Sequence, residues 1–218
     1  MARRDARRDS GRALQRRGPT RDPLPYILVV CEGKVTEPQY INGFKIAHGV
    51  TTVRLDIHSS SGNPLGLVER AIELRDESVR DARRADDENL AYDQAWCVVD
   101  VDEHPRLDEA RALAARSRIE LAVSNPCFEL WLLLHFADQT GHLSCSAAVT
   151  ALRRHLSGYD KHLRFGDLAN GYEDAVRRAR ALDKNQEKHG AAGGNPSTGV
   201  HGLMECIRQN GQSARLER

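Results

Sequence analysis

From Tyr26 onward, short apolar runs alternate with segments of helical periodicity. The run Tyr26-Ile27-Leu28-Val29-Val30-Cys31 has no polar interruption, which is the pattern of a strand buried on both faces of a parallel sheet. It predicts a strand over 26–31, a turn at Glu32-Gly33 and a helix over 37–48. Pro38 falls in the first turn of that helix, where a missing N–H is tolerated. A second strand is expected over 53–58, closed by the polar stretch 59–64. Leu65, Val68, Ile72 and Val79 then recur at near-helical spacing and predict a helix over 64–85. A strand over 94–100, a helix over 107–117, a strand over 119–124 and a helix over 127–136 complete the alternation. This order predicts an α/β fold: a doubly wound, mainly parallel sheet with helices on both faces.

The pattern changes after Asp138. Helices with polar faces are expected over 147–156 and 174–184, and a glycine-rich loop over 190–194 precedes a last helix over 200–208. The plan is therefore an α/β domain over 23–138 with a C-terminal helical extension, 139–218, packed on it. Residues 1–22 differ from both. They carry eight arginines against three aspartates and almost no apolar side chains, too little to bury for independent folding. A disordered basic arm is expected there. Its Arg3, Arg4, Arg7 and Arg8 are candidate phosphate contacts, with a merely solvated tail as the plainer alternative.

Composition narrows the class. The apolar stretches, Leu130–Leu134 among them, are far short of a membrane span, and the arginine-rich start lacks the apolar core of a secretory leader. Neither membrane association nor export is expected. The 5 cysteines are odd in number and form no CxxC pair, so no closed disulfide set is expected and a reducing cytoplasm is the natural setting. No Gly-Lys-Ser/Thr follows the glycine-rich loop, so any ATP dependence would come from a separately encoded ATPase.

The chemistry gathers where strands end. Glu32-Gly33 follows the first strand and Asp100-Val101-Asp102 the third. Ligands of open parallel sheets collect beyond the carboxyl ends of the strands. If the two strands are neighbours, Glu32, Asp100 and Asp102 converge, and close carboxylates repel unless cations hold them. Hard oxygen donors select Mg²⁺, with Mn²⁺ as a substitute. Alternation along an extended chain turns Asp100 and Asp102 to one side. One or two such ions, about 4 Å apart when paired, can neutralise phosphoryl oxygens, activate water and stabilise a leaving oxygen. Glu32 is then a ligand or a general acid–base. Three solvated loop acids are the alternative.

Other candidates carry two readings each. Glu129, in the first turn after the fourth strand, either ligates a second ion or matches its helix dipole. Glu37 either joins the metal set or begins a helix together with Thr36. His104, beside Glu103, titrates near neutrality, although loop histidines are ordinarily bystanders. Lys34 either faces a phosphate or is solvated. Asn195, Ser197, Thr198 and His201 form either an anion site at a helix start or an ordinary cap. Phe128, Leu130, Trp131, Leu133 and Leu134 are expected in the core rather than on a base-stacking platform.

The Glu-Gly and Asp-x-Asp motifs, in this order and at strand ends, resemble the Toprim fold of topoisomerases, DnaG-type primases and OLD-family nucleases over residues 26–136. Nearly the whole chain after the basic arm resembles a narrower group, the RloB-like proteins linked to phage resistance and restriction loci. The matching residues are Cys31-Glu32-Gly33-Lys34-x-Thr36-Glu37-Pro38-x-Tyr40, Asp100-x-Asp102, Ser124-Asn125-Pro126-Cys127-Phe128-Glu129-Leu130-Trp131, Tyr159-x-Lys161 and Asn195-Pro196-Ser197-Thr198-x-x-His201. Many Toprim proteins place a further acid four residues after the motif glutamate. Here Thr36 stands at that position and Glu37 one step later.

The resemblance implies a Mg²⁺-dependent nuclease for DNA or RNA, tRNA among them, acting in anti-phage defence or abortive infection. Glu32, Asp100 and Asp102 would be its catalytic acids. Lys161 would stabilise charge on the phosphoryl group. A non-catalytic nucleic-acid-binding or regulatory partner of a defence ATPase is the reading from another class, and oligomerisation is compatible with either. Topoisomerase or primase chemistry needs a separate tyrosine-bearing domain or template-binding machinery, for which the chain is short.

Overall fold

The computed structural model describes residues 24–60, 63–101 and 106–216. Among them the sheet comprises β1 (Tyr26–Cys31), β2 (Arg54–Ser59), β3 (Gln94–Asp100), β4 (Glu120–Asn125) and β5 (Ser197–Thr198), in the order β2-β1-β3-β4-β5. The first four pair in parallel, and β5 runs antiparallel to β4. Seven α-helices are described: α1 (Thr36–Ala47), α2 (Pro64–Ala85), α3 (Leu107–Ser117), α4 (Phe128–Leu133), α5 (Cys145–Leu152), α6 (Tyr172–Lys188) and α7 (Val200–Leu216). The expected α/β architecture, with a mostly parallel Toprim-like sheet, is the observed one.

The uninterrupted apolar run of β1 serves two cores at once, because successive side chains leave opposite faces of a strand. Ile27, Val29 and Cys31 enter one cluster with Tyr40, Trp131 and Leu203, while Leu28 and Val30 enter a second with Leu67, Val68 and Ala110. Helices α2 and α3 thus cover one face, and α1, α4, α6 and α7 the other. The apolar run after Pro126 is core, with Phe128, Leu130, Trp131, Leu133 and Leu134 at most 2% exposed.

The C-terminal segment packs against the sheet: Tyr159, Tyr172, Leu203 and Ile207 share one buried cluster with Ile27 and Trp131. Two features depart from the sequence expectation. Strand β5 sits inside the stretch expected to be loop and helix cap, and it extends the sheet beyond β4. Helix α4 stops at Leu133 rather than 136, because the following N–H groups bond three residues back, His135 to Leu132 (3.2 Å) and Phe136 to Leu133 (2.9 Å).

That tightened turn buries His135 at 4% exposure. A carbonyl can only accept, so Nδ1–H donates to the Trp131 carbonyl (3.0 Å), and Nε2 accepts from the Tyr40 hydroxyl (2.9 Å). Burial holds the ring neutral and lowers its pKa to about 4 from the ordinary 6.5. The linkage has a definite sign. Above pH 6.5 the ring is neutral in the folded and the unfolded chain alike; as pH falls toward 4 only the unfolded chain takes up the proton, and the fold loses stability. Between pH 7.5 and 4.5 the loss is roughly 2–3 kcal/mol. Urea unfolding across this range is expected to show a shallower pH dependence for His135→Gln than for the wild type. Parallel curves would contradict it.

Candidate functional site

Strand register builds the site. In the β1–β3 ladder Cys31 lies opposite Val98, so the residue after β1 arrives beside the end of β3. There Glu32 N–H donates to the Val98 carbonyl (3.2 Å), and Asp100 N–H donates to Glu32 Oε2 (3.4 Å). In the β3–β4 ladder Asp100 lies opposite Ser124, and the turn through Asn125-Pro126 carries Glu129 into the first turn of α4 at the same end. Residues 32–35 reverse the chain into α1, which brings Glu37 back over the loop. Gly33 N–H donates to Glu37 Oε1 (3.1 Å). A Cβ on Gly33 would overlap the Glu37 carboxylate, so the absence of a side chain there is what lets that acid fold inward.

Glu32, Glu37, Asp100 and Glu129, with Lys34 and Lys161, line a cavity of about 310 Å³. Lys161 comes from a segment more than 120 positions after α1 begins, and three contacts tie it in. Its ammonium pairs with Glu129 Oε1, and the Tyr159 hydroxyl donates to the same oxygen (3.0 Å). The Thr36 hydroxyl donates to the Lys161 carbonyl (2.7 Å). Thr36 is therefore not the helix cap; Val35 stands at that position, and the threonine side chain faces across the cavity wall.

Each acid has a different electrostatic setting. Burial pushes Asp100 well above the usual carboxylate range, and the charges of Glu37, Glu129 and Glu32 push further. Among the described residues its Oδ1 is buried without a hydrogen-bond partner. Glu37 is also raised by burial, against the opposing bond from Gly33. Burial alone would raise Glu129, but the Lys161 ammonium outweighs it and holds the carboxylate below its ordinary value. Desolvation likewise acts to lower Lys161, and Glu129 outweighs it in the upward direction. Nearby, burial and the Glu129 charge raise the Cys127 thiol, and Cys127 and Cys31 are both buried and unbridged.

All the carboxylate donors are hard oxygens, the donor set of Mg²⁺ and Mn²⁺, and the unpartnered Asp100 Oδ1 is the kind of atom a cation would satisfy. Among the described residues, however, no three His, Cys, Asp or Glu side chains converge as a ready metal cage. The ammonium of Lys161 engages Glu129 Oε1, and the N–H of Gly33 engages Glu37 Oε1. Asp102, with Glu103 and His104, lies outside the described residues, as do Arg3, Arg4, Arg7 and Arg8.

The Asn195–His201 group is built into the fold instead of the cavity wall. The Asn195 side chain bridges both main-chain groups of Leu143, accepting from its N–H (2.9 Å) and donating to its carbonyl (2.7 Å). Ser197 and Thr198 form β5 and are buried, with the Thr198 hydroxyl on that of Ser124 (3.0 Å). His201 Nδ1 meets the Thr198 carbonyl (3.0 Å), with Asp183 3.7 Å from Nε2. Lys34 is exposed at the cavity rim. A wider cleft of about 610 Å³ lies alongside, lined by Gln39, His155, Tyr159, His162 and Arg164, and none of the four acids faces it. The smaller cavity is therefore the candidate site. Thr36 and Tyr159 are members whose contacts residue chemistry missed; their only signals are the family patterns around Glu32 and at Tyr159-x-Lys161, since nothing in spacing relates them to Glu129.

The sequence pattern of the family described as RloB-like protein matches residues 27–207. No curated protein and no solved structure matches the chain.

Among the described residues Asp100 Oδ1 is a buried oxygen without a hydrogen-bond partner, set beside three other acids, and this arrangement destabilises the cation-free fold. Asp100→Asn is expected to raise thermal stability at neutral pH in the presence of chelator, by at least about 1 kcal/mol. A lower melting midpoint for the variant would contradict this electrostatic picture.

Proposed function

The chain belongs to the RloB-like protein family, and from that premise we propose that it is a Mg²⁺- or Mn²⁺-dependent nuclease hydrolysing phosphodiester bonds in nucleic acid, in the service of anti-phage defence. The observation that carries the reading is Asp100 Oδ1, buried without a partner among the described residues, in a cavity with Glu32, Glu37 and Glu129 that two lysines rim. Acids gathered at this cost to the fold are characteristic of functional sites.

Glu32 and Asp100 would hold the cation, joined by Asp102 on the family pattern, and Glu37 and Glu129 stand where a second could be held. A bound divalent ion supplies charge neutralisation on phosphoryl oxygens and makes water acidic enough to deprotonate near neutrality. The chain's own groups do the rest. Glu32, at the mouth of the strands, accepts the proton of the attacking water. Lys34 and Lys161 offer positive charge to the non-bridging phosphate oxygens. Phe128, in the cavity wall, keeps bulk water from the buried side. DNA and RNA, tRNA included, are both substrates this site chemistry admits, and a separately encoded ATPase is the regulatory partner the reading implies.

Purified protein incubated with total RNA and with plasmid DNA is expected to cleave at least one of them in Mg²⁺ or Mn²⁺ and neither in chelator. Glu32→Gln and Asp100→Asn are each expected to reduce the rate by at least about 100-fold, with circular dichroism unchanged. Cleavage at wild-type rates by both variants would sink the site. Binding without turnover on every substrate and metal would favour a non-catalytic nucleic-acid-binding partner.

A further inference from the structure

Lys161 combines features that a surface lysine has no reason to share. Its backbone lies in the left-handed region at φ +81°, a conformation that a residue with a Cβ adopts only when held there. Several hydrogen bonds hold it. The Thr36 hydroxyl grips its carbonyl (2.7 Å), Arg153 Nε grips the Tyr159 carbonyl (3.0 Å), and Asp160 Oδ1 accepts from His162 N–H (3.2 Å). The backbone is thus fixed while the side chain is 62% exposed, reaching inward to a Glu129 carboxylate that is only 3% exposed. An exposed aliphatic stem makes few packing contacts to lose, so the ammonium can withdraw into water without moving the chain.

The ammonium also does for Glu129 what a divalent cation would do. It compensates one buried acid of the cluster and leaves Asp100 Oδ1 without a partner. We propose that Lys161 is a tethered cation resting in the acidic cavity, that it competes with the divalent ion for the Glu129 side of the site, and that metal binding releases it toward the phosphate-facing rim. The inference rests on the metal-dependent reading of the site and adds an order of events: the lysine becomes available to substrate only after the metal has taken its place. In the resting protein Glu129 keeps a countercharge, so the cavity is stable without metal. In the loaded protein the same lysine becomes a free cation beside the nucleic acid.

Two measurements on the full-length protein test it, neither reading activity. The first is Mn²⁺ affinity by titration calorimetry or electron spin resonance. If the lysine holds the site nine-tenths of the time, Lys161→Met tightens apparent Mn²⁺ affinity about tenfold. Lys34→Met removes an equal charge from the same rim without touching Glu129 and sets the purely coulombic contribution, which is expected to be smaller. The same Lys161→Met protein is expected to melt lower than wild type in chelator, where Glu129 loses its countercharge, and to recover that loss in Mn²⁺.

The second measurement uses the wild type and so does not depend on the variant folding. Amine acylation, mapped by peptide mass spectrometry, is expected to rise severalfold at Lys161 on adding Mn²⁺ while Lys184 on α6 stays constant. Mn²⁺ binding by the wild type with unchanged affinity in Lys161→Met, or no more change than in Lys34→Met, overturns the competition. So does Lys161 reactivity indifferent to Mn²⁺. No Mn²⁺ binding by wild type, Lys161→Met or Glu32→Gln protein would overturn the metal reading itself, a different failure from the first two.

Discussion

Mutual repulsion among carboxylates at the end of a parallel sheet is the constraint on which the rest of this structure turns. Glu32, Glu37, Asp100 and Glu129 share one cavity of about 310 Å³, and their charges cannot coexist there uncompensated. The fold answers residue by residue. Glu37 is held by the N–H of Gly33, and Glu129 by an ammonium and a phenol. Asp100 Oδ1 receives nothing from the described residues, and burial pushes its carboxyl well above the ordinary range. The compensation is graded, and its weakest point is the acid at the centre of the strand ends. That pattern is hard to explain as surface charge, because solvated acids have no reason to be gathered against their own repulsion.

The scaffold makes the repulsion tolerable because the acids are not on mobile loops. Glu32 and Asp100 extend directly from β1 and β3, which are neighbours buried by two separate cores, and Glu129 stands in the first turn of a helix whose every residue is buried. Strands anchored this way fix side-chain positions to the precision that metal or phosphate chemistry demands. Burial of β1 on both faces therefore positions its following glutamate as well as stabilising the sheet. A strand with one solvated face would leave its terminal glutamate freer to turn away from Asp100.

Most of this was legible in the chain. Strands β1 and β3 and helices α2 and α3 are where continuous apolar runs and near-helical spacing put them, because tertiary burial there reinforces the local pattern. Strand β5 was not legible: two residues carry no periodicity, and Ser197-Thr198 read equally well as a cap. The hydrophobic run of α4 concealed its own end, since a helix apolar on every side has no period to lose. In the site, the meeting of Glu32 and Asp100 is legible because they stand at the ends of adjacent strands, whereas the sequence leaves Glu129 open between a ligand and a helix-dipole partner. Glu37 was left between two readings, and the structure shows its carboxylate turned inward over Gly33. Thr36 and Tyr159 act through contacts more than 100 positions apart in one case and 30 in the other, which only the folded topology brings together.

The C-terminal segment therefore belongs to the site's chemistry as well as to its support. A fragment ending near Phe136 would keep β1, β3 and α4 but lose Tyr159, Lys161 and β5, which meets the far side of β4 through Thr198 and Ser124. Glu129 would then be a buried carboxylate without a countercharge, and removing one partner of a buried pair is far more costly than never having built the pair. The apolar faces that α5, α6 and α7 cover would open at the same time. In this chain the acidic cavity and the segment that closes it are one electrostatic unit: strand register gathers the negative charges, and the polypeptide returns after more than a hundred residues to supply the positive one.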